Sequence, residues 1–144
     1  MFSIRPATVH DVQAITDIYN HAILNSTATF DSEIKSLNDR MQWFQDHQPR
    51  YPVLVSEEDG MVTGFASLSR WSERCAYEGT VEVSVYIHHE NRGRGAGKRL
   101  LEILISEGKR AGFHNLISRI AEGNLSSIHI HELMGFEHIG VMRQ

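Results

Sequence analysis

The sequence predicts an α/β domain built on one mixed β-sheet. Three observations carry that expectation. Helix-type and strand-type hydrophobic periods both occur, and the chain switches between them. Hairpin signals come early and strand-helix-strand patterns late, so antiparallel and parallel neighbours should share a sheet. The chain has 144 residues, with no internal repeat, low-complexity tract or Pro/Ser-rich linker, so it reads as a single domain over 1–144.

Residues 2–5 form a short first strand. Thr8 to Asp11 reads as a capping box with Asp in place of the usual Glu. Behind it Val12, Ile15, Ile18, Tyr19, Ala22 and Ile23 fall on one helical face. Ser36 and Asp39 repeat the start signal ahead of a second helix carrying Leu37, Met41 and Phe44. The period then changes. Residues 52–57, a turn at Asp59-Gly60 and residues 61–69 predict a β-hairpin. Residues 80–88 are the strongest strand, rich in β-branched side chains. A glycine-rich loop leads into a helix over 97–110, with Leu100, Leu101, Leu104 and Ile105 as its apolar stripe. Residues 114–121 return to a strand, and Asn124 caps a short helix ending near Met134. Gly135 stops it, and residues 136–142 are a last strand. The order is β-α-α-β-β-β-α-β-α-β, and the apolar stripes are read as core.

Composition narrows the function. Hydrophobic residues at 41% and charged residues at 22% exclude a disordered tail, a collagen-like repeat and a coiled-coil rod. No apolar run reaches the roughly 18–20 residues that span a bilayer. The N-terminal stretch lacks a charged region followed by an apolar one, so a cytoplasmic location without membrane contact is expected. Cys75 is the only cysteine, which excludes an intrachain disulfide and a cysteine-based zinc site. The net charge of −4, from 14 basic and 18 acidic residues, argues against a nucleic-acid partner. His88 and His89 are adjacent, but no third ligand follows at suitable spacing, so no metal is expected.

The most informative stretch is Arg92-Gly93-Arg94-Gly95-Ala96-Gly97-Lys98, between the strong strand and an amphipathic helix. Alternate glycines let the backbone turn sharply and approach a ligand. The first N–H groups of the helix have no internal partner and sit at its positive end, an arrangement suited to a phosphate or pyrophosphate. Arg92, Arg94, Lys98 and Arg99 add positive charge. A Walker loop would need Gly at position 92 and Ser or Thr at 99, where the chain has Arg92 and Arg99. The dinucleotide fingerprint would need Gly at 98, which is Lys98. The alternative is a glycine-rich surface turn with solvated basic residues.

The pattern Arg92-x-x-Gly95-x-Gly97 resembles the coenzyme A loop of the GNAT N-acetyltransferase superfamily, and the element order resembles that fold over nearly the whole chain. Two further segments look like the phosphinothricin/methionine sulfoximine acetyltransferase branch. These are Arg74-x-Ala76-Tyr77-x-x-Thr80-Val81-Glu82, and residues 127–136 with His131, Glu132, Gly135 and Phe136. The resemblance implies a central mixed sheet with a splay between its fourth and fifth strands. The pantetheine arm of acetyl-CoA would lie in that gap, against the backbone of Val85, Tyr86 and Ile87. The pyrophosphate would lie on the amides of Arg92, Gly93, Arg94, Gly95, Ala96, Gly97 and Lys98. Asn124 matches a family position that contacts the arm, although a helix N-cap is its simpler role.

Glu82 sits inside a valine-rich strand. Alternation puts Val81, Val83, Val85 and Ile87 on one face and Glu82, Ser84 and Tyr86 on the other. A carboxylate there must be paired or wet. An ion pair with Arg74 or Arg119 is one reading. A general base that takes a proton from an attacking amine, directly or through water, is the other, and the resemblance favours it. His131 matches a catalytic position in the same branch, where an imidazole would assist deprotonation or protonate the CoA thiolate. Arg74 and Tyr77 precede the catalytic strand. An arginine fork suits the carboxylate of a small amino acid substrate, and Phe30 would wall the pocket from the loop between the first two helices.

The implied reaction is direct transfer from acetyl-CoA to a primary amine of a phosphinothricin- or methionine sulfoximine-type analogue. Another amine, such as a polyamine or protein N-terminus, is the alternative acceptor. A non-catalytic acetyl-CoA sensor is the alternative of another class. The branch commonly dimerises, so a homodimer is expected. Relatives carry a further C-terminal segment that supplies a seventh strand, and the sequence stops at Gln144 where it would begin, so the final strand is expected to be missing.

Overall fold

The computed structural model describes residues 2–25, 33–70 and 79–117. Strand β1 (Ser3–Pro6) leads through a 3-10 turn (Val9–Asp11) into helix α1 (Val12–Asn25). Helix α2 (Leu37–His47) follows, then the hairpin of β2 (Val53–Glu58) and β3 (Met61–Arg70). Strand β4 (Thr80–Ile87), helix α3 (Ala96–Arg110) and β5 (Asn115–Ile117) complete the described elements. The five strands lie in the order β1-β2-β3-β4-β5. The first three neighbour pairs are antiparallel and β4 runs parallel to β5, so the sheet is mixed as expected.

Local chemistry explains the element ends. The Ser36 hydroxyl accepts from the Asp39 amide at 3.1 Å and starts α2. Asp59 (φ 53) and Gly60 (φ 77) make the two-residue turn whose left-handed backbone matches strand twist. Gly112 (φ 88) stops α3, with the Phe113 amide donating back to the Gly108 carbonyl. The third helix begins one residue before the expected start, at Ala96. The β4–β5 pairing covers Thr80 to Glu82 against Asn115 to Ile117. The expected splay, the short helix after Asn124 and the last strand lie outside the described residues.

The sheet separates two apolar layers. On one face α3 buries Leu100, Leu101 and Leu104 against Leu54, Ala66, Leu68, Val81 and Val83. On the other α1 and α2 bury Val12, Ile15, Ile18, Tyr19 and Phe44 against Val53, Val55 and Phe65. Strand β4 serves both. Val81, Val83, Val85 and Ile87 belong to the α3 layer, while Tyr86 packs in the α1/α2 layer. Helix α2 departs from its expected apolar stripe. Leu37 is exposed, whereas Arg40 and His47 are buried. The Arg40 guanidinium lies 4.5 Å from the Tyr19 ring centroid and 4.0 Å from that of Trp43, so aromatic faces replace much of its water. Both His47 ring nitrogens are hydrogen-bonded, Nδ1 to the Trp43 carbonyl at 2.7 Å and Nε2 to the Ser69 hydroxyl at 2.9 Å. No described helix is long and apolar enough to cross a membrane.

One charged clamp joins the N-terminal elements. Asp11 accepts from the Thr8 amide at 2.7 Å, the reach-back of a capping box. It also accepts two bonds from Arg5, at 2.7 and 2.9 Å. Arg5 Nε donates to Glu57 on β2 at 2.8 Å. The Arg5 guanidinium holds the Asp11 carboxyl below its ordinary range, helped by the Thr8 amide. Burial, and then the Arg40 charge, hold His47 below its ordinary 6.5 against the opposing pull of the Trp43 carbonyl.

Both shifts have the same sign for stability. Each group's native value is depressed, so the unfolded chain binds more protons on acidification and stability falls. The His47 contribution is full above 6.5 and declines below it. The Asp11 contribution is full above 3.8 and is lost as pH falls through the depressed native value. Urea unfolding from pH 8 to pH 3 is expected to show both stages. Asp11→Asn should lower stability by about 1–3 kcal/mol at neutral pH and flatten the lower stage. A variant that unfolds with the wild-type midpoint throughout contradicts the clamp.

Candidate functional site

The site is built where β4 ends. The His88 amide donates to the Thr63 carbonyl at 2.7 Å, holding the strand end to β3. His88 Nδ1 accepts from the Glu90 amide at 3.2 Å and starts a 3-10 turn, His89–Asn91. Gly93 (φ 80) and Gly95 (φ 85) then take left-handed backbone, and Gly95 caps α3. A Cβ at either position would meet nothing within 4 Å, so conformation and not crowding selects glycine there. Gly97 differs. It has no positive φ, and a Cβ there would touch Ile87 at 3.7 Å, an ordinary contact. Two of the three alternate glycines are therefore demanded by the turn.

The first intrahelical bond of α3 runs from the Arg99 amide to the Gly95 carbonyl. The amides of Ala96, Gly97 and Lys98 precede it and have no intrahelical acceptor. They point out at the positive end of a 15-residue helix. This cradle fits a pyrophosphate, with open space beside both left-handed glycines. The flanking cations differ in availability. Arg94 is engaged by Glu58 of the hairpin at 3.2 Å, and Arg99 by Glu102 at 3.1 Å. Arg92 and Lys98 complete the basic set.

Upstream on β4, Val85 and Ile87 are half-buried against the α3 layer. Tyr86 is fixed on the opposite face by Tyr19, edge-on at 5.2 Å, and by Phe65, stacked at 5.3 Å. The backbone expected to meet the pantetheine arm is thus anchored by side chains on both faces. Gly64 is its neighbour on β3, and a Cβ there would lie 2.9 Å from the Tyr86 carbonyl oxygen and 2.6 Å from Ile87 Cδ1. Glu82 is half-buried, opposite Ser69 on β3 and Ile117 on β5. Glu82 lies five positions before Ile87, about 17 Å of strand.

Phe30, Arg74, Tyr77, Asn124 and His131 lie outside the described residues, as does Arg119. The structure therefore places Glu82 on the strand that leads into the glycine loop, about 17 Å before the strand end. It also adds features the sequence did not disclose. His21 of α1 stacks on His89 with ring centroids 3.9 Å apart, tying the first helix to the loop. Partial burial, then the neighbouring His89, Arg92 and His88, hold His21 below its ordinary value. His47 and Ser69 meet on the Glu82 face of the sheet. No spacing rule reports any of these contacts, because the partners lie far apart in the chain. Among the described residues no three His, Cys, Asp or Glu side chains gather into a metal-binding group.

A glycine turn at a helix start, fed by a strand that carries a carboxylate, defines an α/β protein with a candidate anion cradle at the strand end. Comparison with known proteins agrees. A family model described as an acetyltransferase (GNAT) domain matches residues 4–144. The chain is 41% identical to the L-methionine sulfoximine/L-methionine sulfone acetyltransferase of Salmonella typhimurium, over 99% of this chain and 84% of that one. It is 36% identical to the phosphinothricin N-acetyltransferase of Streptomyces viridochromogenes, over 97% of this chain and 76% of that one. A solved structure of a Salmonella typhimurium acetyltransferase with its cofactor acetyl-CoA superposes with a TM-score of 0.95 at 40% identity, covering 97% of this chain and 82% of that chain. The chain belongs to the GNAT acetyltransferase family.

The glycines of the loop separate in a stability test. Gly95→Ala forces a left-handed alanine and should cost about 1–2 kcal/mol. Gly97→Ala makes only an ordinary contact and should be neutral or slightly stabilising in the first turn of the helix. Thermal unfolding of the two variants checks this. Equal losses would mean that the loop backbone is not as described.

Proposed function

We propose that this chain transfers the acetyl group of acetyl-CoA to the primary amine of a small amino acid analogue of the methionine sulfoximine or phosphinothricin type. The observation that carries the reading is that one strand, β4, holds a carboxylate at its third residue and opens into an amide cradle at its end. The distance along the strand is of the order of an extended pantetheine arm. A carrier held at Gly93 to Lys98 would place its acyl end near Glu82. The acceptor class is supported by the two acetyltransferases to which the chain is similar over nearly its full length.

Each residue has a role in this reading. The amides of Ala96, Gly97 and Lys98, with Arg92, hold the pyrophosphate. The β4 backbone at Val85, Tyr86 and Ile87 orients the arm. Arg74 binds the acceptor's carboxylate, Tyr77 and Phe30 wall its side chain, and Asn124 steadies the arm. Glu82 takes a proton from the acceptor's ammonium, directly or through a water, and becomes a carboxylic acid. Acetyl-CoA, when bound, supplies the thioester carbonyl carbon, where a C–N bond forms and the C–S bond breaks. His131 assists the deprotonation or returns a proton to the departing thiolate. Holding the two reactants in line and polarising the carbonyl with strand amides supplies most of the rate. The same reading makes the protein a cytoplasmic homodimer.

Thiol release from acetyl-CoA tests it, with methionine sulfoximine and phosphinothricin as acceptors. Both should give rapid release, and Glu82→Gln should lower it by about a hundredfold or more while acetyl-CoA still binds. No release with either acceptor, under conditions where acetyl-CoA binds the wild type, overturns the reading.

A further inference from the structure

We propose that His21 is a positioning residue for acetyl-CoA, whose ring stacks on His89, holds the His89–Asn91 turn, and so fixes the glycine backbone that follows. The inference rests on the reading of that glycine loop as the pyrophosphate cradle.

The loop leaves β4 at Ile87 and enters α3 at Ala96. Its hold at the strand end is the bond from the His88 amide to the Thr63 carbonyl, at 2.7 Å. Its hold at the far end is Gly95, the cap of α3. Between them lie the turn His89–Asn91 and two left-handed glycines, Gly93 and Gly95. A glycine has no Cβ to restrict its backbone. A turn that runs into two of them swings as a unit unless an outside element holds it. The ion pair of Arg94 with Glu58 is one outside hold. The Arg94 side chain is 57% exposed, and exposed pairs of this kind contribute little.

His21 supplies the second hold, and it does so from a rigid platform. Its neighbours Tyr19 and Ala22 are buried, and Tyr19 meets the Tyr86 ring edge-on at 5.2 Å. Asn20 fixes the same turn of α1 from the α2 side. Its side-chain amide donates to the Lys35 carbonyl at 2.8 Å, and its side-chain oxygen accepts from the Lys35 amide at 2.7 Å. The His21 ring lies 3.9 Å from the His89 ring, with 8° between the planes. His89 in turn stacks on His88, at 4.4 Å and 23°. The three rings join α1, the turn and the strand end in one stack. Burial, then His89, Arg92 and His88, hold His21 below its ordinary value, so it joins the stack as a neutral imidazole. Arg92 opens the cradle, so the ring also lies within electrostatic reach of the anion site.

The consequence is confined to capture of the carrier. Backbone amides bind a pyrophosphate only when they converge, and the stack sets the turn from which they fan out. Once the pyrophosphate is seated, its own bonds hold the loop. The stack therefore contributes to acetyl-CoA affinity and not to the chemical step.

The test is acetyl-CoA binding to the full chain by calorimetry, beside steady-state kinetics of thiol release. His21→Ala should weaken acetyl-CoA binding about two- to tenfold, the range of one aromatic contact, and raise its KM to match. The kcat and the KM of the acceptor amine should stay at wild-type values, a split that general loss of structure would not produce. His21→Phe keeps a flat ring on His89 without ring nitrogens and should bind as the wild type does, which separates the stack from any hydrogen bond of the imidazole. His89→Ala should weaken binding at least as much as His21→Ala, and the double variant should be no weaker than His89→Ala. Wild-type affinity in His21→Ala, a loss in His21→Phe equal to that in His21→Ala, or additive losses in the double variant overturn the inference. Should His21→Ala not fold, His89→Ala at its exposed turn position decides, and wild-type affinity there overturns the inference. Arg92→Glu keeps the two readings apart. Unchanged acetyl-CoA binding in that variant removes the cradle itself, whereas weakened binding there with wild-type affinity in His21→Ala removes only the role of His21.

Discussion

The structure depends on one constraint, the need for β4 to satisfy two packed layers at once. Its odd residues close the α3 core, and Tyr86 on its even face packs with α1 and α2. Side chains alternate with a period of two, so a slip of one residue would turn Val81 and Val83 out of the α3 layer and put Glu82 into it. An uncompensated carboxylate among Leu68, Leu100 and Leu104 is far costlier than a lost methyl contact. Register is therefore fixed in part by a charged residue, Glu82. The same alternation that buries the valines puts Glu82 on the sheet face where His47 of α2 bonds Ser69.

The cradle inherits its position from that strand. Ile87 is the last β4 residue, packs in the α3 layer and lies against Gly97. Helix α3 cannot shift along the sheet without dragging the glycine turn with it, because Leu100, Leu101 and Leu104 anchor it one turn further on. On the other side His21 stacks on His89, and Arg94 reaches Glu58 on the hairpin. The loop is thus a flexible sequence held at three points by rigid elements. An anion site made of backbone amides needs such anchoring, since its donors are useful only when they converge.

Most of the fold was legible because its signals are local. The α3 stripe, the Asp59-Gly60 turn, the Ser36 cap and the β-branched run of β4 all depend on residues a few positions apart. The glycine loop was legible for the same reason, although only its backbone angles distinguish Gly93 and Gly95 from Gly97. Helix α2 was harder. The apolar stripe of Leu37, Met41 and Phe44 leaves out Arg40 and His47, because their side chains are polar although i, i+4, i+7 spacing aligns them with Phe44. The structure buries both, since Tyr19 lies a helix away in sequence and Ser69 lies two strands away. Polar residues are buried when distant partners complete their bonding, and no window of sequence contains those partners. The roles given to Phe30, Arg74, Tyr77, Asn124 and His131 came from resemblance, because those positions carry no spacing that forces a chemistry.

The polar groups on α2 also show why packing and chemistry share one face. Arg40 brings a charge into an aromatic layer, where two ring faces take the place of much of its water. Burial makes a positive charge at His47 unfavourable, and the nearby Arg40 cation adds to that cost. The imidazole therefore stays neutral with its proton fixed on Nδ1 by the Trp43 carbonyl. A neutral ring with one defined lone pair is a directional acceptor, which a protonated or freely flipping ring is not. The buried arginine thus contributes more than packing. After burial, its charge helps hold the neighbouring imidazole neutral, so that the Ser69 hydroxyl donates to His47 Nε2.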